Sequence, residues 1–174
     1  ERWVEGDVEY YTDEWGNIWH RLVYGCKGGE IFRPAIEDWA QLRDLRIPDY
    51  DNPDRYTRMQ EIFSRNPDKF RLASLPGWVF AISRYLRKME NYFADLYLAQ
   101  DEINELHEMV TALLEKVIIR CAQAGADGVF FCEDLGTQER LLIGPKLWRE
   151  MLGPHYRRLC GTAHKLGLKV LMHS

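Results

Sequence analysis

The chain has 174 residues, 46% of them hydrophobic, with 23 basic and 27 acidic residues and a formal charge of -4. This is enough apolar material for a sizeable core, which excludes a disordered segment. An acidic balance without a dense basic run excludes a phosphate-tracking surface, so nucleic acid is not an expected partner.

No stretch approaches the roughly 20 consecutive apolar residues that span a bilayer, and Glu1-Arg2-Trp3 lacks the apolar core of a signal peptide. A cytoplasmic location without a membrane partner is the expectation. The cysteines, Cys26, Cys121, Cys132 and Cys160, form no Cys-x-x-Cys pair. Three lie in apolar segments typical of buried thiols, and all four are expected to be reduced.

In chain order, Val8 to Thr12 and Ile18 to Val23 are rich in β-formers, and Asp13-Glu14-Trp15-Gly16-Asn17 between them supplies turn residues. The pattern predicts a hairpin. A polar, proline-marked linker from Pro34 through Asn52-Pro53-Asp54 predicts short helical turns capped by Asp38 or Asn52. A helix with water-facing arginines follows, then a short strand over 70–75 ended by Pro76-Gly77.

Trp78 to Lys88 and Asn91 to Gln100 read as helices. Ile103, Leu106, Val110, Leu113, Leu114, Val117, Ile118 and Cys121 form an apolar stripe at spacings of three and four, stopped by Gly125. The run Gly128-Val129-Phe130-Phe131-Cys132 does not alternate and predicts a parallel strand covered on both faces. Pro145 opens a further helix, Gly153-Pro154 breaks it, Gly167 stops the next one, and Lys169 to Met172 begins another strand.

Strand, helix, strand, helix, strand predicts an α/β layout with parallel strands. Three such strands cannot close a barrel, which takes eight and usually about 250 residues. The chain is therefore expected to be a fragment of a longer protein.

The segment Gly125-Ala126-Asp127-Gly128-Val129-Phe130-Phe131-Cys132-Glu133-Asp134-Leu135-Gly136-Thr137-Gln138, with Ile143-Gly144-Pro145, Trp148-Arg149-Glu150, Pro154 and Lys169 to Ser174, resembles the uroporphyrinogen decarboxylase-like superfamily. Upstream, Thr12-Asp13-Glu14-Trp15-Gly16 with Trp19, Pro34, Asp38-Trp39 and Ile47-Pro48-Asp49 is similar to the hairpin and linker of its methyltransferase-like members. The resemblance covers nearly the whole chain. It implies that residues 1–174 form one domain, the middle strands of a partial (β/α)8 TIM barrel preceded by a β-hairpin and a wrapping linker.

In the corrinoid-linked methyltransferases of this superfamily, the histidine that matches His173 opens a His-x-Cys zinc site. Ser174 stands at x. Zinc lowers the pKa of a bound thiol and so keeps a thiolate ready to accept a methyl group. The alternative is a hydrogen-bonded wall residue without metal. Glu133 and Asp134 close the preceding strand, where carboxylates serve as acid, base or acceptor. One of the pair could instead cap the next helix or order the loop through Gly136. Asp134 is the expected pocket residue, with Gln138 as a polar neighbour.

The resemblance places Pro76-Gly77-Trp78 at the substrate opening. Trp78 and Phe80 either offer flat faces to a ring or corrinoid or pack in the core. Tyr85 falls near a substrate-contacting tyrosine of the decarboxylase. His20, His107, His155 and His164 read as solvated or capping side chains. Trp3, Trp15, Trp19 and Trp39 are expected to pack the hairpin on the barrel or on a second copy in a homodimer.

The implied function is a methyltransferase or demethylase component that moves a methyl group between a small methylated compound, or a corrinoid (cobalamin) on a partner protein, and an acceptor. The alternatives are a cofactor-free uroporphyrinogen decarboxylase, a carboxy-lyase, and a non-catalytic barrel subunit.

Overall fold

The Asp13 carboxylate organises the first sharp turn. Its Oδ1 accepts the Trp15 and Asn17 backbone N–H groups at 2.9 Å each, and its Oδ2 accepts Asn17 Nδ2 at 2.8 Å and Trp19 Nε1 at 2.7 Å. Such local bonding is why Asp favours turns. The computed structural model describes residues 1–25 and 28–174. Cys26 lies outside the described residues.

The turn joins two strands of a four-stranded antiparallel sheet, β1 (Arg2–Glu5), β2 (Val8–Thr12), β3 (Ile18–Leu22) and β4 (Glu30–Arg33), ordered β1-β2-β3-β4. The expected hairpin is its centre. The two outer strands went unread because each is only four residues long. Gly6, at φ 58°, sits in a two-residue turn between β1 and β2, where a positive φ suits glycine.

Past β4, Asn17 Oδ1 accepts the Ala35 N–H at 2.8 Å. A capping box of Asp38 and Gln41 opens a 3-10 turn over Trp39–Asp44, and Asn52 caps a second over Pro53–Tyr56. Both expected caps are used.

Among the described residues six α-helices follow: α1 (Thr57–Ser64), α2 (Val79–Arg87), α3 (Met89–Leu98), α4 (Gln100–Gln123), α5 (Pro145–Met151) and α6 (Gly153–Lys165). The apolar stripe of α4 is buried from Ile103 to Cys121, and Gly125 follows it at φ 89°. A side chain there would be strained, which is why glycine stops the helix.

The chain divides into two compact units, Glu1–Pro48 with Ser83–Ile103, and Asp49–Ile82 with Asn104–Ser174. In the first, buried Arg87 donates to the carbonyl oxygens of Ile36 at 2.8 Å and Glu37 at 3.0 Å, pairs with Asp95 at 2.8 Å, and lies 4.4 Å over the Trp39 ring. One guanidinium thus ties the linker to α3. Trp3 stacks on Tyr10 at 5.2 Å and Trp19 on Tyr11 at 6.0 Å.

The second unit holds a parallel sheet of β5 (Leu72–Ser74), β6 (Gly128–Cys132) and β7 (Lys169–His173), ordered β5-β6-β7. The fold is mixed α/β. Asp127 sets its register. The Asp127 carboxylate takes the Arg71 backbone N–H at 2.8 Å and the guanidinium at 2.6 and 2.8 Å. The Asp127 N–H donates to Arg71 O at 2.8 Å, and Asp127 O accepts the Lys169 N–H at 3.0 Å. Leu72, Gly128 and Lys169 therefore lie in one row, and Ser74, Phe130 and Leu171 in another.

The strand over 128–132 is not covered on both faces as expected. Val129 and Phe131 are buried, Phe130 is half-buried and Cys132 is exposed. Of the remaining cysteines, Cys121 is buried and Cys160 half-buried.

The Arg71 guanidinium holds the Asp127 carboxyl down to about 2. A folded-state value below the unfolded one, near 4, gives stability that is present above about pH 4 and lost as pH falls through about 2. Asp127→Asn is expected to flatten the fall in urea midpoint between about pH 4 and pH 2 and to lower the midpoint at neutral pH. An unchanged pH profile would show that the pair has no such role.

Candidate functional site

Parallel strands bring their carboxyl ends to one edge of the sheet, where chemistry gathers in α/β folds. Here that edge carries Glu133 and Asp134 after β6 and His173 and Ser174 at the end of β7. The Glu133 N–H donates to His173 O at 2.9 Å, which keeps the two strand ends together.

Glu133 and Asp134 are adjacent yet occupy opposite environments. Glu133 is 1% exposed, and its Oε1 accepts the Ala81 N–H at 2.8 Å. Ala81 lies in the first turn of α2, so Glu133 caps that helix, and the partial positive charge there favours a carboxylate. The expected cap on the next helix is not made: Gly144 stands at the N-cap of α5 without a side-chain cap, and Glu133 caps α2, which comes before it in the chain.

Asp134 is exposed, and its Oδ1 lies 3.7 Å from His173 Nδ1, with both side chains about two-thirds exposed. The distance suits an ion pair of a protonated imidazole or a shared contact through one water. Ser174 Oγ accepts the Leu135 N–H at 3.4 Å.

Cys132 pairs in register with His173 on the neighbouring strand. In-register residues of a sheet project to the same face, so a thiol joins the imidazole at this edge. Sequence reasoning passed over Cys132 as a buried thiol. The available signal was its place at the strand end, immediately before Glu133.

Gln138 is exposed at the tip of the β6–α5 loop, which Thr137 and Arg140 close through a backbone bond of 2.8 Å. Trp78 and Phe80 are fully buried, and Trp78 stacks on Phe131 at 3.9 Å between ring centres, so neither presents a face to solvent. Tyr85 belongs to the other unit. There it is half-buried, with its ring 4.8 Å from Trp19 and its hydroxyl 3.4 Å from Arg84 Nη2.

One histidine departs from expectation. His107 is fully buried, not solvated, and burial with His155 nearby pushes its pKa down to about 3. It is neutral at physiological pH, 5.5 Å from the His155 ring, whose Nδ1 meets Thr111 Oγ1 at 2.9 Å. This cluster sits on the helices and not at the strand ends.

Removing the Glu133 carboxylate strands a buried helix N–H, while removing the exposed Asp134 carboxylate strands nothing. Glu133→Ala is expected to lower unfolding free energy by about 2 kcal/mol, Glu133→Gln by less, and Asp134→Asn by under ~0.5 kcal/mol. Equal losses for Glu133→Ala and Asp134→Asn in urea unfolding would refute this division.

A family model described as uroporphyrinogen decarboxylase (URO-D) matches residues 22–174. No curated protein matches the chain. Among solved structures, a methyltransferase from Methanosarcina mazei superposes with a TM-score of 0.62 at 13% sequence identity, covering 84% of this chain and 43% of that one. The chain thus spans less than half of that protein's length, and at this identity the likeness is one of fold. No helix among the described residues is long and apolar enough to cross a membrane.

Proposed function

The chain belongs to the uroporphyrinogen decarboxylase family, and from that membership we propose that it forms part of an enzyme that transfers a methyl group between a small methylated compound, or a corrinoid on a partner protein, and an acceptor. The observation that carries this reading is the meeting of Asp134 and His173, 3.7 Å apart, beyond adjacent parallel strand ends.

In this reading β5, β6 and β7 are neighbouring strands of one (β/α)8 barrel domain to which the whole chain belongs. Parallel sheets are normally covered on both faces. Here the face bearing Ala73, Val129 and Phe131 is buried, while Leu72 and Leu171 on the other are 38% and 40% exposed. A filled barrel interior would cover that second face. Support for the methyl-transfer branch comes from the strand-end motifs and the fold likeness.

Asp134 is the group that accepts a hydrogen bond from substrate or moves its proton, with Gln138 as a polar neighbour on the loop. Glu133 positions the edge by capping α2. His173 offers an imidazole nitrogen, a donor that suits zinc. The described residues do not compose a metal centre, since no group of three His, Cys, Asp or Glu side chains among them is arranged to hold an ion. His173 is accordingly proposed as one zinc ligand whose companions lie outside the described residues, and no step is routed through the metal.

Elemental analysis of the intact purified protein tests this directly. Wild type is expected to carry stoichiometric zinc, His173→Ala to lose it, and Asp134→Asn to keep it while methyl transfer falls about 10²-fold or more. Absence of zinc from both wild type and His173→Ala would end the zinc reading and leave metal-free chemistry at the same strand ends.

A further inference from the structure

The joint between α5 and α6 docks on one turn of α4 through two imidazoles. His107, on the buried side of α4, makes a hydrogen bond with the backbone of Met151, the last residue of α5. His155, in the first turn of α6, places its ring 5.5 Å from that of His107 at an interplanar angle of 72°. Thr111, one turn further along α4, joins the two residues. Its hydroxyl donates to His107 O at 2.7 Å and meets His155 Nδ1 at 2.9 Å. A hydroxyl has one proton to give. That proton goes to the carbonyl, so His155 Nδ1 is the donor in the second bond.

His107 and Thr111 are fully buried, and the His155 side chain is 12% exposed. Charged groups stand at the margin of the joint. On α4, Glu108 Oε2 lies 4.0 Å from His155 Nδ1, while its other oxygen is bonded by Arg158 of α6. Arg158 also binds Glu115 of α4 at 2.6 Å, and Thr162 of α6 donates to Glu115 at 2.9 Å. Burial, with His155 nearby, holds His107 down to about 3, and burial lowers His155 against the pull of Glu108. Two imidazolium charges would face each other where little water reaches them.

We propose that His107 and His155 form an acid-sensitive latch, which holds α5 and α6 on α4 while both rings are neutral and releases them on protonation. Once the joint opens, both rings meet water and titrate at the ordinary value, near 6.5. Their folded-state values lie below it. The latch is therefore at full strength above about pH 6.5 and weakens as pH falls toward about 3. Glu115, held below the usual carboxylate range by Arg158, keeps its charge through the upper part of that window. The latch lies in the chain that connects β6 to β7, beyond whose ends Asp134 and His173 meet, and it does not depend on methyl transfer.

Hydrogen exchange of the intact protein, read by mass spectrometry on peptides from Pro145 to Lys165 and scaled for the intrinsic effect of pH on exchange, tests the latch. Between pH 7 and pH 5 the opening constant of these peptides is expected to rise about 20-fold through His107 alone, the ratio for a group that titrates near 6.5 when open and about 3 when closed. Peptides of α3, which contains no histidine, are expected to change little. His107→Gln cuts the rise to the smaller share that His155 supplies, and the double variant with His155→Gln abolishes it. His164→Gln, at an exposed histidine of α6, leaves it intact. The reading is the slope with pH, so a variant that is only less stable at pH 7 does not imitate the result. No rise in wild type, a rise retained in the double variant, or an equal rise in α3 would each overturn the proposal.

Discussion

Asp127 joins the starts of three strands. Its side chain grips the backbone and guanidinium of Arg71 ahead of β5, its own backbone leads into β6, and its carbonyl receives the Lys169 N–H at the start of β7. The pair is one-third exposed on each side, so its contribution is more one of alignment than of bulk stability. Alignment decides everything downstream. Side chains in a strand alternate with period two, and a slip of one residue would carry His173 to the helix-covered face and Met172 to the open one.

From that register the two carboxylates acquire separate roles. Glu133 turns inward, where the first turn of α2 supplies an unpaired N–H and a favourable dipole end. Asp134, the next residue, turns outward toward His173. No difference in residue chemistry produces this division. It follows from alternation at a strand end that sits between a helix layer and an open edge.

Much of the fold was legible because periodicity is local. The α4 stripe, the glycine stops, the capping residues Asp38 and Asn52 and all three parallel strands follow from neighbours within a few positions. What escaped depends on distant partners. Glu133 finds Ala81 52 residues earlier and Asp127 finds Arg71 56 residues earlier, and no local pattern announces either. The outer strands β1 and β4 were too short to show alternation. Cys132 looked buried because its neighbours are apolar, yet position two steps beyond a half-buried Phe130 placed it on the open face. His107 looked solvated because histidine usually is, but it lies on the buried side of α4. Of the candidate site, the strand-end residues were readable from their place after apolar runs. The burial of Trp78 and Phe80 was not, since an aromatic after a strand-ending turn fits a core and a pocket equally well.

The same alternation gives β7 two distinct faces. His173 reaches the open edge beside Asp134, while Met172 lines an apolar depression with Trp148 and Tyr156. Adjacent residues on a rigid strand cannot exchange faces without loss of register, so the two regions share a scaffold and share no side chain. Substitutions on one face leave the donors and acceptors of the other in place. A change at the Asp127 clamp, which helps align the strand starts, would disturb both faces together.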